Sequence, residues 1–152
     1  MTAIELVTLV VLLVVIAAFA IPGMSPVVLR YRLRGAAWQV AGDLRLARQQ
    51  AVTLRKRFRV CVTNCAIAVP AGTYSIERDD GTVSAASWKS TTGAARRLPQ
   101  DVQLQASNTV FQPTGTTTDW GTFRVTNPIG SYAVTVISTG RIRVCEGAAC
   151  PN

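Results

Sequence analysis

The sequence predicts an α+β protein in which a long N-terminal helix packs against an antiparallel β-sheet head. Three observations lead to this fold class: an unbroken apolar run over residues 6–21, an apolar stripe at helical spacing over residues 33–54, and a change to short β-rich segments from residue 58 onward. The chain has 152 residues, which suits one long helical element and one small globular head. We expect three segments: an apolar transmembrane or filament-core helix over residues 1–28, an amphipathic basic helix over 29–57, and a β-rich head over 58–152.

The apolar run contains Thr8 as its one polar residue. Its length at a helical rise of about 1.5 Å per residue is about 24 Å, near the roughly 30 Å of a hydrocarbon core. No Lys or Arg precedes Arg30, so the basic start of a secretory signal peptide is missing. Pro22, Gly23 and Pro26 follow the run. They predict a kink near Pro22 or a melted, extended link, with a plain helix end as the alternative.

Glu5 is an acidic residue at the start of this apolar run. An unpaired carboxylate in hydrocarbon costs several kcal/mol, so Glu5 needs a partner. A free α-amino group is one natural partner, supplied by the same chain or by a neighbouring copy. Pairing between copies would favour stacking with a fixed axial stagger, which is a mechanism for ordered assembly.

The second helical segment carries an apolar stripe whose members are spaced alternately four and three residues apart. The stripe comprises Leu33, Ala37, Val40, Leu44, Ala47, Ala51 and Leu54. We expect it to cover the sheet and the helix to end near residues 57–59. Nine of the 16 Lys and Arg residues lie in residues 1–60, and the net charge is +8. This basic excess indicates a solvated helix face or contact with anionic lipid headgroups, with a polyanion partner as the alternative.

The head alternates β-type segments with turn residues. The predicted strands are 58–63, 73–78, 102–105, 109–112, 121–126, 132–137 and 141–145, and residues 84–93 are predicted to be a loop.

The four cysteines form two local pairs, Cys61 with Cys65 and Cys145 with Cys150. Their spacing fits zinc poorly, so we expect no metal and favour local disulfides formed in an oxidising compartment. Free buried thiols and pairing across the two sites remain alternatives. The chain has no His, no nucleophile-elbow Ser and no phosphate-binding Gly loop. The sequence therefore favours a protein that is not an enzyme and has no cofactor.

The N-terminal residues Met1-Thr2-Ala3-Ile4-Glu5-Leu6, followed by the apolar run and Ile21-Pro22, resemble the start of mature type IV pilins and type II secretion pseudopilins. The resemblance implies that a prepilin peptidase processes the chain and that Met1 is the N-methylated first residue. It also assigns Glu5 to assembly and Pro22 to distortion of the helix. The implied partners are other pilin or pseudopilin subunits. The implied location is the bacterial inner membrane with a periplasmic head, and then an extracellular pilus or a periplasmic pseudopilus.

The order of elements in the head resembles the FimT/FimU/GspH group of minor pilins and pseudopilins. Gly140-Arg141-Ile142-Arg143 matches a pattern that the resemblance links to DNA binding and uptake. In a strand, Arg141 and Arg143 share one face about 6.6 Å apart, and two guanidinium groups at that spacing suit neighbouring phosphates. Arg124 is a further candidate for the same patch. The expected function is a minor pilin, with DNA binding through Arg141 and Arg143 as a further expectation. A pseudopilin and the major pilin of a filament are the alternatives.

Overall fold

The computed structural model describes residues 2–20, 25–81 and 86–150. Two helices come first, α1 (Ala3–Ala20) and α2 (Ser25–Leu54). The strands are β1 (Phe58–Cys61), β2 (Thr73–Asp79), β3 (Trp88–Ser90), β4 (Arg96–Arg97), β5 (Gln103–Gln105), β6 (Thr109–Phe111), β7 (Gly121–Asn127), β8 (Gly130–Val136) and β9 (Ile142–Glu146).

Two of the predicted site residues, Met1 and Pro22, lie outside the described residues, and so does the predicted kink. Helix α2 begins at Ser25, so the predicted boundary between residues 28 and 29 falls inside it. Pro26 is tolerated there because the first helical turn has no intrahelical partner for the missing N–H. Among the helices of the described ranges, none has the length and apolar character needed to cross a membrane.

The head contains two antiparallel sheets. The first has the order β3-β2-β1-β6, with β4 also paired to β2, and the second has the order β5-β7-β8-β9. All seven predicted strands are present, with ends that differ by one or two residues. The short strands β3 and β4 were not predicted, and β3 falls inside the segment predicted to be a loop. These strands form because β2 has a free edge with which they pair, and the local sequence pattern does not reveal that edge.

Helix α2 packs across both sheets through the predicted apolar stripe. Six of its seven members are buried: Leu33, Ala37, Val40, Leu44, Ala47 and Ala51. Leu54 was assigned wrongly to this stripe, because it is 51% exposed at the end of the helix, where the chain turns away into β1. The largest side chains opposite the helix are Tyr74, Phe58, Phe111 and Phe123. The small residues of α2 let these rings lie close to the helix backbone, which is why one helix closes the core of both sheets.

One polar group of the core ties α2 to the first sheet. The buried Tyr74 hydroxyl donates a 2.6 Å hydrogen bond to Asp43 Oδ2, and Arg96 Nη1 lies 3.2 Å from Asp43 Oδ1. Burial, and then the bond to the Asp43 carboxylate, raises the pKa of Tyr74 well above its usual range. The hydroxyl therefore stays protonated and remains a donor to Asp43.

Candidate assembly and nucleic-acid sites

Glu5 lies in the first turn of α1, where it takes part in the helix cap. The Thr2 amide donates to Glu5 Oε2 at 3.4 Å, and the Glu5 amide donates to the Thr2 carbonyl at 3.0 Å. A Thr followed three residues later by a Glu is the sequence of a capping box, and the negative charge suits the helix N-terminus. The structure thus gives Glu5 a weak partner in the Thr2 amide, which the sequence prediction did not consider. A stronger partner would compete easily with a bond of this length.

The apolar side chains of α1 are uncovered. Every large apolar residue from Ile4 to Ile16 is at least 49% exposed. A groove of about 500 Å³ runs along the helix between two ridges, one of Val7, Val11 and Val15 and the other of Thr8, Leu12 and Ile16. A helix that is apolar on all sides is stable in water only when other apolar groups cover it. The described residues of the head do not provide that cover.

Arg141 and Arg143 lie at the edge of the second sheet. Arg141 is exposed just before β9, and Arg143 is half-buried within it, opposite Thr135 of β8. Ile142 and Val144 alternate with them and pack against the core. Both arginines therefore point to the face of this sheet that is turned away from α2, which we call the outer face. Within the described ranges, neither guanidinium has a carboxylate within salt-bridge distance.

Arg124 lies on the same outer face, but it is engaged within the chain. Its Nε and Nη2 atoms each lie 3.3 Å from the Ala148 carbonyl oxygen. That carbonyl belongs to the loop closed by the disulfide between Cys145 and Cys150. Arg124 therefore holds the C-terminal loop against the outer face, and only its remaining donor atoms are available to an anion.

Gly140 has an architectural role that the sequence did not reveal. Its φ is +75°, and a Cβ atom built on it would lie 2.0 Å from the Gly115 carbonyl oxygen and 2.8 Å from Arg48 Nε. Arg48 Nε in turn donates to the Gly115 oxygen at 2.9 Å. Helix α2, the turn before β7 and the β8–β9 turn thus meet at this point, which we call the Gly140 corner. Because Gly140 directly precedes Arg141, the corner fixes the position of Arg141 and of Arg143 in the following strand.

The disulfide between Cys61 and Cys65 lies beside a buried acid that sequence analysis missed. Glu77 is fully buried, and its Oε1 accepts bonds from the Ala66 amide at 2.7 Å and the Ser75 hydroxyl at 2.9 Å. Its Oε2 accepts from Arg59 Nε at 2.6 Å. The Arg59 guanidinium also stacks over Trp88, 4.4 Å from the ring centroid. Glu77 therefore holds the disulfide loop against β1 and β2.

Three possible metal ligands, the two sulfurs of Cys61 and Cys65 and a Glu77 oxygen, lie within 4.8 Å of one another. The sulfurs are bonded to each other in the disulfide, so neither is the thiolate that a metal would need. The Arg59 cation beside Glu77 further disfavours a second cation. This group of residues thus holds the disulfide loop in place and does not form a metal centre.

These features define a pilin-like fold: a long helix packs on a small antiparallel head, and an uncovered apolar helix precedes it in the sequence. The family model described as type II transport protein GspH matches residues 36–140, and the chain belongs to that family. A search of curated proteins finds no match. The chain is therefore a structural subunit of the GspH type, and proteins of this family are associated with the cell envelope.

Solved structures share the fold at low sequence identity. The type IV minor pilin FimU of Pseudomonas aeruginosa superposes with a TM-score of 0.57 at 18% identity, over 80% of this chain and 94% of that one. Two structures of the minor pseudopilin EpsH from the type II secretion system of Vibrio cholerae give TM-scores of 0.59 and 0.60. Their identities are 16% and 13%, over 76% and 81% of this chain and 97% and 99% of theirs. At these identities the likeness establishes the fold alone.

Proposed function

We propose that this chain is a minor subunit of a type IV pilus-like filament, in which α1 packs among the apolar helices of other subunits after a stay in the inner membrane. The observation that carries the proposal is the uncovered apolar surface of α1, with Glu5 as the one charged residue of that helix. As the family resemblance implies, prepilin peptidase would make Met1 the first residue of the mature chain, and Met1 would be N-methylated. Glu5 would then exchange its long bond to Thr2 for a free α-amino group of a neighbouring subunit.

Replacing Glu5 by Gln tests this role, since Gln keeps the size of the side chain and removes its charge. We expect the Glu5→Gln subunit to stay in the membrane fraction and to fall at least about tenfold in sheared filaments, because a lost charge pair in apolar surroundings is worth more than about 1.4 kcal/mol. Asp119→Asn is the matched control, because Asp119 is exposed on the head. Normal incorporation of Glu5→Gln would contradict the proposed role.

A second candidate function, DNA capture, is favoured by the position of Arg141 and Arg143. Both lie on the outer face without an acidic partner in the described ranges. They belong to β9 and the residue before it, and β9 is an edge strand that a nucleic acid can approach. Phosphate contacts would release counterions and make binding sensitive to salt. Arg124 would contribute only through donor atoms that do not hold the C-terminal loop.

The full chain in detergent micelles provides the test. Replacing Arg141 and Arg143 by Ala should weaken DNA binding and reduce the slope of log K against log salt by nearly two, at about 0.9 per phosphate contact. Arg30→Ala with Arg34→Ala is the matched control, since it removes the same charge from α2. If both double variants bind DNA equally, the weaker binding results from the lower net charge alone, and the outer face is not the binding site.

The pseudopilin alternative is favoured by the match to the GspH family model. A pseudopilin would associate with subunits of a type II secretion system, whereas a minor pilin would associate with subunits of a pilus. Affinity isolation of the full chain from membranes, followed by mass spectrometry of its partners, separates the two functions. Abundance in sheared filaments would instead identify a major pilin.

A further inference from the structure

We infer that the free edge of β9 accepts an extended segment of a partner polypeptide in which acidic residues alternate with apolar ones. Strand β9 lies at one end of the second sheet and has β8 as its neighbour. The partner would add an antiparallel strand beside β9, so that main-chain hydrogen bonds supply affinity and alternate side chains supply specificity. This inference goes beyond the proposed filament function, because it depends neither on α1 nor on entry into a filament.

The pairing with β8 determines which backbone groups point to this edge. Just after β9, the Gly147 amide donates to the Ser131 carbonyl of β8 at 2.9 Å. Bonded and non-bonded pairs alternate along an antiparallel ladder, so Arg143 and Cys145 also direct their N–H and C=O groups toward β8. In the described ranges β9 pairs with no other strand. Three residues of β9 therefore direct their backbone groups to the free edge, namely Ile142, Val144 and Glu146.

The C-terminal loop leaves this edge open. After β9 the chain turns back across the outer face, where the Ala148 carbonyl accepts a bond from Arg124 of β7. Cys150 Sγ lies 3.8 Å from the Ala133 carbonyl of β8. The loop thus runs over the outer face toward β7 and away from the edge. Natural proteins usually shorten, cover, bend or charge an edge strand, and β9 carries only the last of these protections.

The charge on the outer face favours an acidic partner. A strand added beside β9 would place its own outer-face side chains about 5 Å from those of β9, within reach of Arg141 and Arg143. Acidic side chains at these positions would pair with the two guanidinium groups. The β9 strand of a second copy would instead bring the same two arginines of each copy onto one face with no acid between them. Like charges so close destabilise a strand pair, so the arginines disfavour self-pairing.

The inner side of the same edge favours apolar residues. Ile142 and Val144 are only partly buried where they pack against the core. A cleft of about 780 Å³ opens beside them between the start of α2, the start of β8 and the end of β9, and Leu33, Tyr132 and Glu146 contribute to its walls. Inner-face side chains of an added strand would cover Ile142 and Val144, and the one beside Glu146 would reach this cleft. Apolar side chains there would remove further apolar area from water.

Residue-resolved hydrogen exchange of the full chain in detergent micelles tests the inference. The probe is a short peptide, capped at both ends, in which Glu and Val alternate. We expect the amides of Ile142, Val144 and Glu146 to exchange at least about tenfold more slowly when the peptide is saturating. The amides of Arg143 and Cys145 should change little, because they are already bonded to β8.

Two methylated forms of the peptide separate backbone pairing from charge attraction. In an antiparallel pair, the peptide residues that bond to β9 share the inner face with Ile142 and Val144, so they are the Val residues. Methylation of the Val amide nitrogens should weaken binding at least about tenfold in fluorescence anisotropy, since each lost bond costs about 1 kcal/mol. Methylation of the Glu amide nitrogens should have little effect, because those groups point away from β9. Both peptides keep the same side chains and net charge.

Charge reversal on the outer face provides the second arm. Arg141→Glu with Arg143→Glu should abolish binding of the Glu–Val peptide and create binding of a peptide in which Lys replaces Glu. Arg55→Glu with Lys89→Glu is the matched control, since it changes the net charge equally at two exposed positions outside the second sheet. This control variant should keep the preference for the Glu–Val peptide.

Two results would overturn the inference: equal binding of the two methylated peptides, or slower exchange along β9 without alternation. A DNA duplex used as the probe should occupy the two arginines without protecting the edge amides, because it has no strand edge to pair with them. The same alternating protection by DNA would therefore also overturn the inference. None of these results bears on the Glu5→Gln variant, so the filament function is tested separately.

Discussion

At the scale of single residues, buried and crowded groups hold the head in place. Glu77 is a fully buried charge whose partners are the Arg59 guanidinium, a hydroxyl and an amide. Gly140 has no space for a side chain because the Gly115 carbonyl fills it. The apolar patterns that predict the fold do not reveal either role, because each depends on contacts with residues elsewhere in the sequence.

Removal of the Arg59 charge should destabilise the head strongly. Arg59→Met leaves the Glu77 carboxylate buried with neutral donors only, and breaking a buried pair in this way costs about 3–5 kcal/mol. Chemical denaturation monitored by circular dichroism measures the loss. The double variant Arg59→Met/Glu77→Leu should recover much of it, since neither charge is then left unpaired. A single variant as stable as the unaltered chain would mean that water already reaches Glu77.

The replacement Gly140→Ala should also lower stability. The new Cβ would collide with the Gly115 carbonyl, and a left-handed φ of +75° adds about 1–2 kcal/mol of its own. Gly93→Ala is the matched control, because Gly93 has a φ of +70° but nothing within 4 Å of its Cβ position. We expect the Gly140 variant to unfold at a lower denaturant concentration than the Gly93 variant. Equal midpoints would show that the Gly140 corner adjusts without cost.

At the scale of elements, the sequence was informative where one periodic pattern determined the structure. The spacing of Leu33 through Ala51 predicted the buried line of α2, and the alternation of β-type segments with turn residues predicted seven strands. Strands β3 and β4 were not predictable, since they exist only because β2 has an edge to pair with. Neither were the roles of Gly140 and Arg124 in the candidate site, because their partners Gly115 and Ala148 are distant in sequence.

The C-terminal disulfide loop should order the outer face of the second sheet. Replacing Cys145 and Cys150 by Ala removes the link that keeps Ala148 beside Arg124. We expect faster hydrogen exchange of the Gly147 amide, which donates to the Ser131 carbonyl at 2.9 Å, and little change in the strand pairs β7–β8. Closing so short a loop stabilises the fold by no more than about 3 kcal/mol. Loss of protection throughout β7 and β8 would instead assign the disulfide a role in global stability.

At the scale of the whole molecule, the positive charges divide into two groups. Six form pairs with acids: Arg32, Lys56, Arg57, Arg59, Arg78 and Arg96. The other ten lack such a pair in the described residues: Arg30, Arg34, Arg45, Arg48, Arg55, Lys89, Arg97, Arg124, Arg141 and Arg143. Two of them, Arg141 and Arg143, lie together on the outer face, where we propose a partner.

The paired acids near the β2–β3 turn predict a dependence of stability on pH. Burial opposes ionisation of Asp79, but amide bonds from Gly81 and Ser87 and the Arg57 cation outweigh it and lower the pKa of Asp79. Hydrogen bonds from Arg78 and Lys56 lower the pKa of Asp80 as well. A carboxyl group with a lowered pKa in the folded state contributes stability above its ordinary value of 3.8 and loses that contribution as the pH falls through the folded value.

We therefore expect the unfolding free energy to fall below about pH 4. Asp79→Asn should weaken that dependence, whereas Asp119→Asn, at an exposed site, should not. Denaturant titrations at several pH values from neutral to strongly acidic measure the slope. Parallel slopes for Asp79→Asn and the unaltered chain would show that the turn does not contribute.

Helix α2 is attached to the head near both of its ends. Asn127 Nδ2 donates to the Leu29 carbonyl at 3.0 Å, and some five turns further along Arg48 Nε donates to the Gly115 carbonyl at 2.9 Å. Tension that pulls on α2 along its axis is consequently shared between two anchor points and the core between them. The head cannot peel away from α2 at one end without breaking a polar bond, so a pulled subunit should hold its shape until the core itself yields.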